Sequence, residues 1–122
     1  MSRSPLGHDV DERTAPPPPF IRVQVEFFGV PRLKAGMARL DLELPVVDPF
    51  RRLSDLQRLL DRLADVVPSL VGPVLIRVSA DQPATLHPAY RLSLDTEEFL
   101  DDPTTLLVPD ARLLLLSADL GG

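Results

Sequence analysis

Two segments of the chain alternate between apolar and polar residues. Residues 21–27 carry Ile, Val, Val and Phe at the odd positions with Arg, Gln and Glu between them, and residues 39–44 alternate Leu with Arg, Asp and Glu. A period of two over this length predicts half-buried strands. Gly29, Pro31 and Gly36 lie between the two segments, so we expect a loop there and an antiparallel hairpin.

The next segment has the period of a helix. Residues 56–67 place most of their Leu and Val residues at steps of three and four, which puts them on one helix face that we interpret as core packing. Ser54 followed by Gln57 matches a capping box at its start. Asp55 then falls in the first turn, where the helix dipole favours a negative charge. Pro68 ends the helix.

The remaining apolar segments are shorter. Residues 68–89 are long for a connection in a small domain, and their β-branched part, 74–78, predicts an extra strand. Residues 90–94 alternate, residues 99–100 suit a short return strand, and residues 112–117 suit a last strand. This order predicts an α+β fold in which a mixed sheet of four to five strands packs on one main helix.

The first 19 residues differ from the rest of the chain. They have no hydrophobic periodicity and end in four prolines, Pro16–Pro19. They also lack the apolar segment of a secretory signal. We therefore expect a disordered arm over residues 1–19 and one folded domain over residues 20–122. A proline run can bind a proline-recognition domain or serve as a stiff spacer, and we favour the spacer.

Composition excludes several kinds of function. Thirteen basic and eighteen acidic residues give a net charge of −5, which argues against nucleic-acid and anionic-membrane partners. No apolar run approaches the roughly 18 residues that span a bilayer, and we expect a cytoplasmic protein. There is no cysteine, and the two histidines, His8 and His87, lie in the arm and in a loop. We therefore expect no metal site, no bound cofactor and no enzyme.

The last predicted strand contains four consecutive leucines, 113–116. Because neighbouring residues of a strand point to opposite faces, two of the four must point away from the helix. A strand with two apolar faces is expected to be covered on both. Either residues 68–89 cover the second face, or it is an exposed apolar surface for a partner. We slightly favour the partner surface, because Phe28 would extend it.

The chain ends in Gly121–Gly122 directly after this strand. Two residues without side chains adopt nearly any backbone angle, so such an end can enter a narrow channel. Its terminal carboxylate can then be presented to a nucleotide phosphate. A chain without catalytic side chains can take part in chemistry in this way.

These features together resemble a known family. The opening Val-Gln-Val-Glu-Phe-Phe-Gly-Val-Pro-Arg at 23–32, the single leucine-rich helix and the ending Leu-Leu-Leu-Leu-Ser-Ala-Asp-Leu-Gly-Gly are similar to the ubiquitin-like β-grasp sulfur carriers. The small subunit of molybdopterin synthase and the thiamine sulfur carrier are the relatives that we would name. The resemblance covers residues 20–122, and its specific motif is the diglycine end.

The resemblance implies a role for the tail and for one sheet face. An E1-like enzyme would use ATP to adenylate the Gly122 carboxylate, and a persulfide donor would convert it to a thiocarboxylate. Gly121 would give the tail slack. In the family an apolar residue on the outer sheet face lies six positions before the terminal glycine, which is Leu116 here. The expected partner-binding residues are Leu114, Leu116, Leu120 and Phe28.

Three functions remain open at this point. The first is a sulfur carrier, most plausibly of the molybdopterin type, with a possible large synthase subunit as partner. The second is a protein modifier joined through Gly122 to lysines of other proteins. The third is a non-catalytic binding module that uses the Leu114 and Leu116 face. The sequence departs from the sulfur carriers in the long 68–89 segment, in the turn at 95–98 and in the proline-rich arm, which leaves the acceptor open.

Overall fold

The computed structural model describes residues 19–95 and 98–118. The arm predicted for residues 1–19 lies outside this part, apart from Pro19, and so do residues 119–122. The helices are α1 (Val30–Ala35) and α2 (Leu56–Val66). The strands are β1 (Phe20–Phe27), β2 (Arg39–Pro45), β3 (Ser54–Asp55), β4 (Leu75–Ile76), β5 (Thr85–Leu86), β6 (Tyr90–Leu94), β7 (Glu98–Leu100), β8 (Leu106–Leu107) and β9 (Arg112–Ser117).

Five strands form one mixed sheet in the order β2-β1-β9-β6-β7. β1 and β2 make the predicted antiparallel hairpin, whereas β1 and β9, the first and last strands, pair in parallel. β6 joins β9 and β7 in antiparallel fashion. The predicted α+β architecture, a mixed sheet on one main helix, is therefore confirmed.

The core lies between one face of this sheet and α2. The alternation in β1 is confirmed, because its four odd-numbered apolar residues are buried and Gln24, Arg22 and Glu26 are not. From α2 the core receives the leucine stripe and one alanine. These helix residues are Leu56, Leu59, Leu60, Leu63 and Ala64.

The predicted capping box is wrong, although α2 begins and ends close to the expected residues. Asp55 is the N-cap residue, and its carboxylate accepts a hydrogen bond from the backbone N–H of Arg58 at 3.0 Å. Ser54 is buried, and its hydroxyl donates to the carbonyl of Pro45 at 2.6 Å. A nine-residue separation between Ser54 and its acceptor is a tertiary contact, which the local pattern could not show.

The predicted loop between β1 and β2 contains a helix, α1, so the loop prediction is wrong. Pro31 lies in its first turn, where the missing N–H costs no hydrogen bond. Gly36 ends it in the left-handed region at φ 73°, and its N–H donates to the carbonyl of Arg32. The same Pro and Gly that indicate a loop thus begin and end a six-residue helix.

Residues 68–89 contain several short elements. A 3₁₀ turn over Pro68–Leu70 follows α2, and β4 pairs with β5 in antiparallel fashion. The strand predicted at 74–78 is present in shortened form as β4. β8 was not predicted, and it pairs with β3 beside the start of α2.

Candidate partner-binding surface

β9 occupies the middle of the sheet, and its four leucines face two sides. Leu113 and Leu115 are 1% and 0% exposed in the core. Leu114 and Leu116 lie on the opposite face and are only partly buried. The structure therefore places the four leucines as the sequence predicts.

Residues of the neighbouring strands lie on the same outer face as Leu114 and Leu116. Residues directly opposite each other in adjacent strands share a face. Leu116 lies opposite Arg91, and Leu114 lies opposite Ser93 of β6, which in turn lies opposite Phe99 of β7. Phe99 is 46% exposed, and the guanidinium carbon of Arg91 lies 5.1 Å from its ring centroid. This distance is that of a cation–π contact, which holds the arginine at the border of the apolar surface.

Phe28 continues the same face on the other side of β9. It follows the buried Phe27, its side chain is 53% exposed, and its N–H donates to the carbonyl of Leu115 at 3.0 Å. We call Phe28, Leu114, Leu116, Phe99 and Arg91 the outer-face patch. Sequence reasoning missed Phe99 and Arg91 as members, because the pairing of β7 with β6 is a property of the folded sheet.

Arg77 and Ala84, in the 68–89 segment, are bound to α2 on the opposite side of the sheet from this patch. The side chain of Gln57 donates to the carbonyl of Ala84 at 2.8 Å, and the N–H of Ala84 donates to the carboxylate of Asp61 at 2.8 Å. Arg77 forms a 2.7 Å ion pair with Asp65. All three helix residues belong to α2, which lies on the other face of the sheet. Leu114 and Leu116, on the other side of the sheet, are half-buried, and their role as a partner surface stays a prediction.

The described chain leaves the sheet beside this patch. Ser117 of β9 lies opposite Tyr90, and the N–H of Ala118 donates to the carbonyl of Ala89 at 2.8 Å. Leu120, Gly121 and Gly122 lie outside the described residues, and Gly122 is four positions beyond Ala118 in the sequence. An extended chain of four residues reaches about 13 Å.

His87 lies in the segment just before this point and takes part in local contacts. The Nδ1 atom of His87 accepts a hydrogen bond from the N–H of Ala89 at 3.0 Å, and its ring meets Tyr90 edge-on with centroids 6.0 Å apart. His87 is thus held as part of a turn. Among residues 19–95 and 98–118 no group of three or more His, Cys, Asp or Glu side chains could hold a metal ion. No helix in the same part of the chain is long and apolar enough to cross a membrane.

A cleft of about 450 Å³ opens between the start of α2 and the strands β5, β6 and β7. Its floor is formed by leucines of the core, and its rim carries His87, Tyr90, Arg91 and Asp101. The cleft lies beside β6 and β7, the strands that contribute Arg91 and Phe99 to the outer-face patch. Sequence reasoning did not predict it, because its walls come from four separate parts of the chain.

Comparison with known proteins identifies the fold. No protein-family model and no curated protein sequence matches the chain. The solution structure of small archaeal modifier protein 1 from Methanosarcina acetivorans superimposes with a TM-score of 0.64 and 20% identity, covering 84% of this chain and 98% of that one. The chain has the ubiquitin-like β-grasp fold.

Two crystal structures of small archaeal modifier protein 1 from Haloferax volcanii share this β-grasp fold. The first has a TM-score of 0.60 and 18% identity and covers 83% of this chain and 99% of its own. The second has a TM-score of 0.57 and 17% identity and covers 78% and 94%. The β-grasp fold was the expectation from the sequence, and it is confirmed.

Proposed function

We propose that this protein is a sulfur carrier whose Gly122 carboxylate is activated and converted to a thiocarboxylate. The observation that carries the proposal is the position of the diglycine sequence, which begins four positions after Ser117, the last residue of the central strand of a β-grasp sheet. The outer-face patch supports it, because Leu114 and Leu116 belong to the same strand and are partly exposed, and an activating enzyme must bind a surface of the carrier while the tail occupies its active site.

The chemistry requires no side chain of the carrier. The carboxylate oxygen of Gly122 attacks the α-phosphorus of ATP on an E1-like enzyme, and pyrophosphate leaves. The terminal sulfur of a persulfide donor then attacks the acyl carbon and displaces AMP. A second thiol of the donor protein then attacks the donor sulfur of the acyl disulfide, forms a disulfide with it and releases the thiocarboxylate of Gly122. Gly121 would let the tail enter the enzyme, because it has no Cβ to clash with a narrow channel.

The sulfur acceptor that we favour is a precursor of molybdopterin, since the small subunit of molybdopterin synthase is one of the two sulfur carriers that the sequence resembles. In this case the outer-face patch would bind a large synthase subunit, with Leu116 at its centre and Leu120 at the start of the tail. We place this reaction in the cytoplasm. The protein would be a carrier and a substrate of other enzymes, not a catalyst.

A second function, protein modification, is favoured by one observation. The solved structures that share the fold are described as modifier proteins. The activation step is the same, but the acceptor is a lysine amine instead of sulfur. Lys34 is the single lysine of the sequence and is exposed on α1, so chains of this protein joined to itself through lysine would use Lys34.

Intact-mass measurement distinguishes the two functions. The protein is incubated with ATP, the E1-like enzyme of its own genome and a persulfide donor. Replacement of one oxygen by sulfur at Gly122 supports the carrier, and isopeptide adducts at lysine support the modifier. A variant lacking Gly121 and Gly122 is the matched control and should show neither product. If the intact chain remains unchanged while the enzyme activates its other substrates, both proposals are wrong and a binding module remains.

A further inference from the structure

Among the strands of residues 19–95 and 98–118, β2 lies at one edge of the five-stranded sheet. The N–H of Phe27 donates to Ala38 and the N–H of Val46 donates to Pro19, both at 2.8 Å. In an antiparallel ladder, bonded and non-bonded pairs alternate. The N–H and C=O groups of Arg39, Asp41 and Glu43 therefore point away from β1. Within residues 19–95 and 98–118 no strand pairs with this side of β2.

The charged side chains along this edge of one copy can pair with the same side chains of a second copy. Arg39, Asp41 and Glu43 are all exposed on the outer face of β2. Two antiparallel registers between two copies use only their outward backbone groups and place Arg39 opposite an acid of the other copy. One register pairs Arg39 with Asp41. The other pairs Arg39 with Glu43 and also places the two Asp41 side chains opposite each other, which weakens that register. Each pairing occurs twice because the strands are related by a two-fold axis, and opposite charges across strands are stabilising.

The helix side of the same edge has an exposed apolar residue. Val66 belongs by spacing to the leucine stripe of α2, yet it is 42% exposed. It lies with Arg62 in a groove of about 430 Å³ whose other wall includes Leu42 of β2. If two copies pair through β2, both α2 helices lie on one face of the joined sheet. Val66 of each copy then lies next to the junction.

We propose that β2 pairs in antiparallel fashion with β2 of a second copy, so that two chains form one continuous sheet with two-fold symmetry. The pairing uses the free backbone groups, the Arg39 charge pairs and the two Val66 side chains. β9 is separated from this edge by β1, so the outer-face patch stays uncovered in both copies. The dimer would present two C-terminal tails. Its formation does not depend on whether Gly122 carries sulfur.

Sedimentation equilibrium of the full chain over a wide concentration range tests this. The mass should rise from 13.5 kDa toward twice that value, about 27 kDa. Arg39→Glu places like charges opposite each other and should raise the dimer dissociation constant about tenfold. Arg32→Glu makes the same charge change on α1, away from the edge, and should leave it unchanged.

Charge swaps then report the register. Rescue by Arg39→Asp with Asp41→Arg supports pairing of 39 with 41, and rescue by Arg39→Glu with Glu43→Arg supports pairing of 39 with 43. A chain that stays monomeric at all concentrations overturns the proposal. So does a dimer that tolerates Arg39→Glu but dissociates with Leu116→Asp, because it would use the outer-face patch instead. Far-UV circular dichroism verifies that each variant is folded.

Discussion

Adjacent leucines of β9 have different roles. Leu115 is 0% exposed and fills the core, whereas Leu116 is partly buried on the outer face. We expect Leu115→Ala to lower the free energy of unfolding by about 2–5 kcal/mol, because it leaves a cavity in a packed core. Leu116→Ala should cost about 1 kcal/mol or less.

Urea denaturation of the two variants measures this difference. Both substitutions remove the same atoms from neighbouring positions of one strand, so each serves as the control for the other. Equal losses of stability would show that Leu116 is a core residue and that the outer-face patch is not available to a partner.

The carboxylate of Asp102 shows how a turn is stabilised by charge. It accepts hydrogen bonds from the N–H and the hydroxyl of Thr104, at 2.9 and 2.7 Å. These bonds hold the pKa of Asp102 below 3.8, the ordinary value for aspartate. The ionised form therefore stabilises the fold above the unfolded pKa, and this contribution is lost as the pH falls through the lower folded pKa.

Thr104→Val removes the hydroxyl donor but keeps the backbone N–H. We expect the pKa of Asp102 to rise toward 3.8 without reaching it, because the backbone bond is the larger cause. Carbon-detected NMR titration of the aspartate side chains measures this pKa. An unchanged midpoint would mean that the hydroxyl does not bond the carboxylate in solution. Asp81 is the internal reference, because its partner Ser79 is unaltered.

At the scale of elements, tertiary hydrogen bonds fix the start of α2. The N–H groups of Leu56 and Gln57 donate to the carbonyls of Thr105 and Pro103, which belong to the turn before β8. Asp55 receives a third N–H, that of Arg58. The start of the helix is therefore held by two segments that lie far apart in the sequence.

Removing the cap tests this arrangement. Asp55→Ala should lower the free energy of unfolding by about 1 kcal/mol, because the N–H of Arg58 loses its acceptor. Asp55→Asn should keep most of the stability, since asparagine is an equally good cap. Thermal unfolding of both variants measures the difference. If asparagine costs as much as alanine, the charge and not the cap is what stabilises the helix.

At this scale the sequence predicts an element correctly when the element buries one apolar face over several residues. β1, β2, α2 and β9 each bury one face over several residues, and their bounds follow from the pattern. The α1 helix is only six residues long, and β8 has two. Segments this short span too few hydrophobic periods to indicate whether they form a helix or a strand. They form because other elements supply their hydrogen-bonding and packing partners.

At the scale of the whole molecule, two residues of the outer-face patch, Leu114 and Leu116, belong to β9, the strand that precedes the diglycine sequence in the chain. A partner that holds the patch can therefore present the tail to its own active site. We expect Phe28→Ala to reduce the rate of activation of Gly122 about tenfold or more, because large aromatic side chains dominate binding energy at interfaces. The rate of AMP formation by the E1-like enzyme measures this.

Phe50→Ala is the matched control for Phe28→Ala. Phe50 is 98% exposed in the loop that follows β2, away from the patch. The same substitution there should leave the rate of activation unchanged. If both variants are activated at the rate of the original protein, the E1-like enzyme binds the tail without contacting the outer-face patch.

The sequence by itself determined the main helix, the two strands of the hairpin, the two faces of β9 and the diglycine motif. These are local properties, because each depends on side-chain periodicity or backbone freedom within a few residues. Only the tertiary structure decided that residues 68–89 pack on α2, that Phe99 and Arg91 join the patch, and that β2 is left as an edge. These depend on which strands become neighbours, which is set by packing between residues distant in the chain.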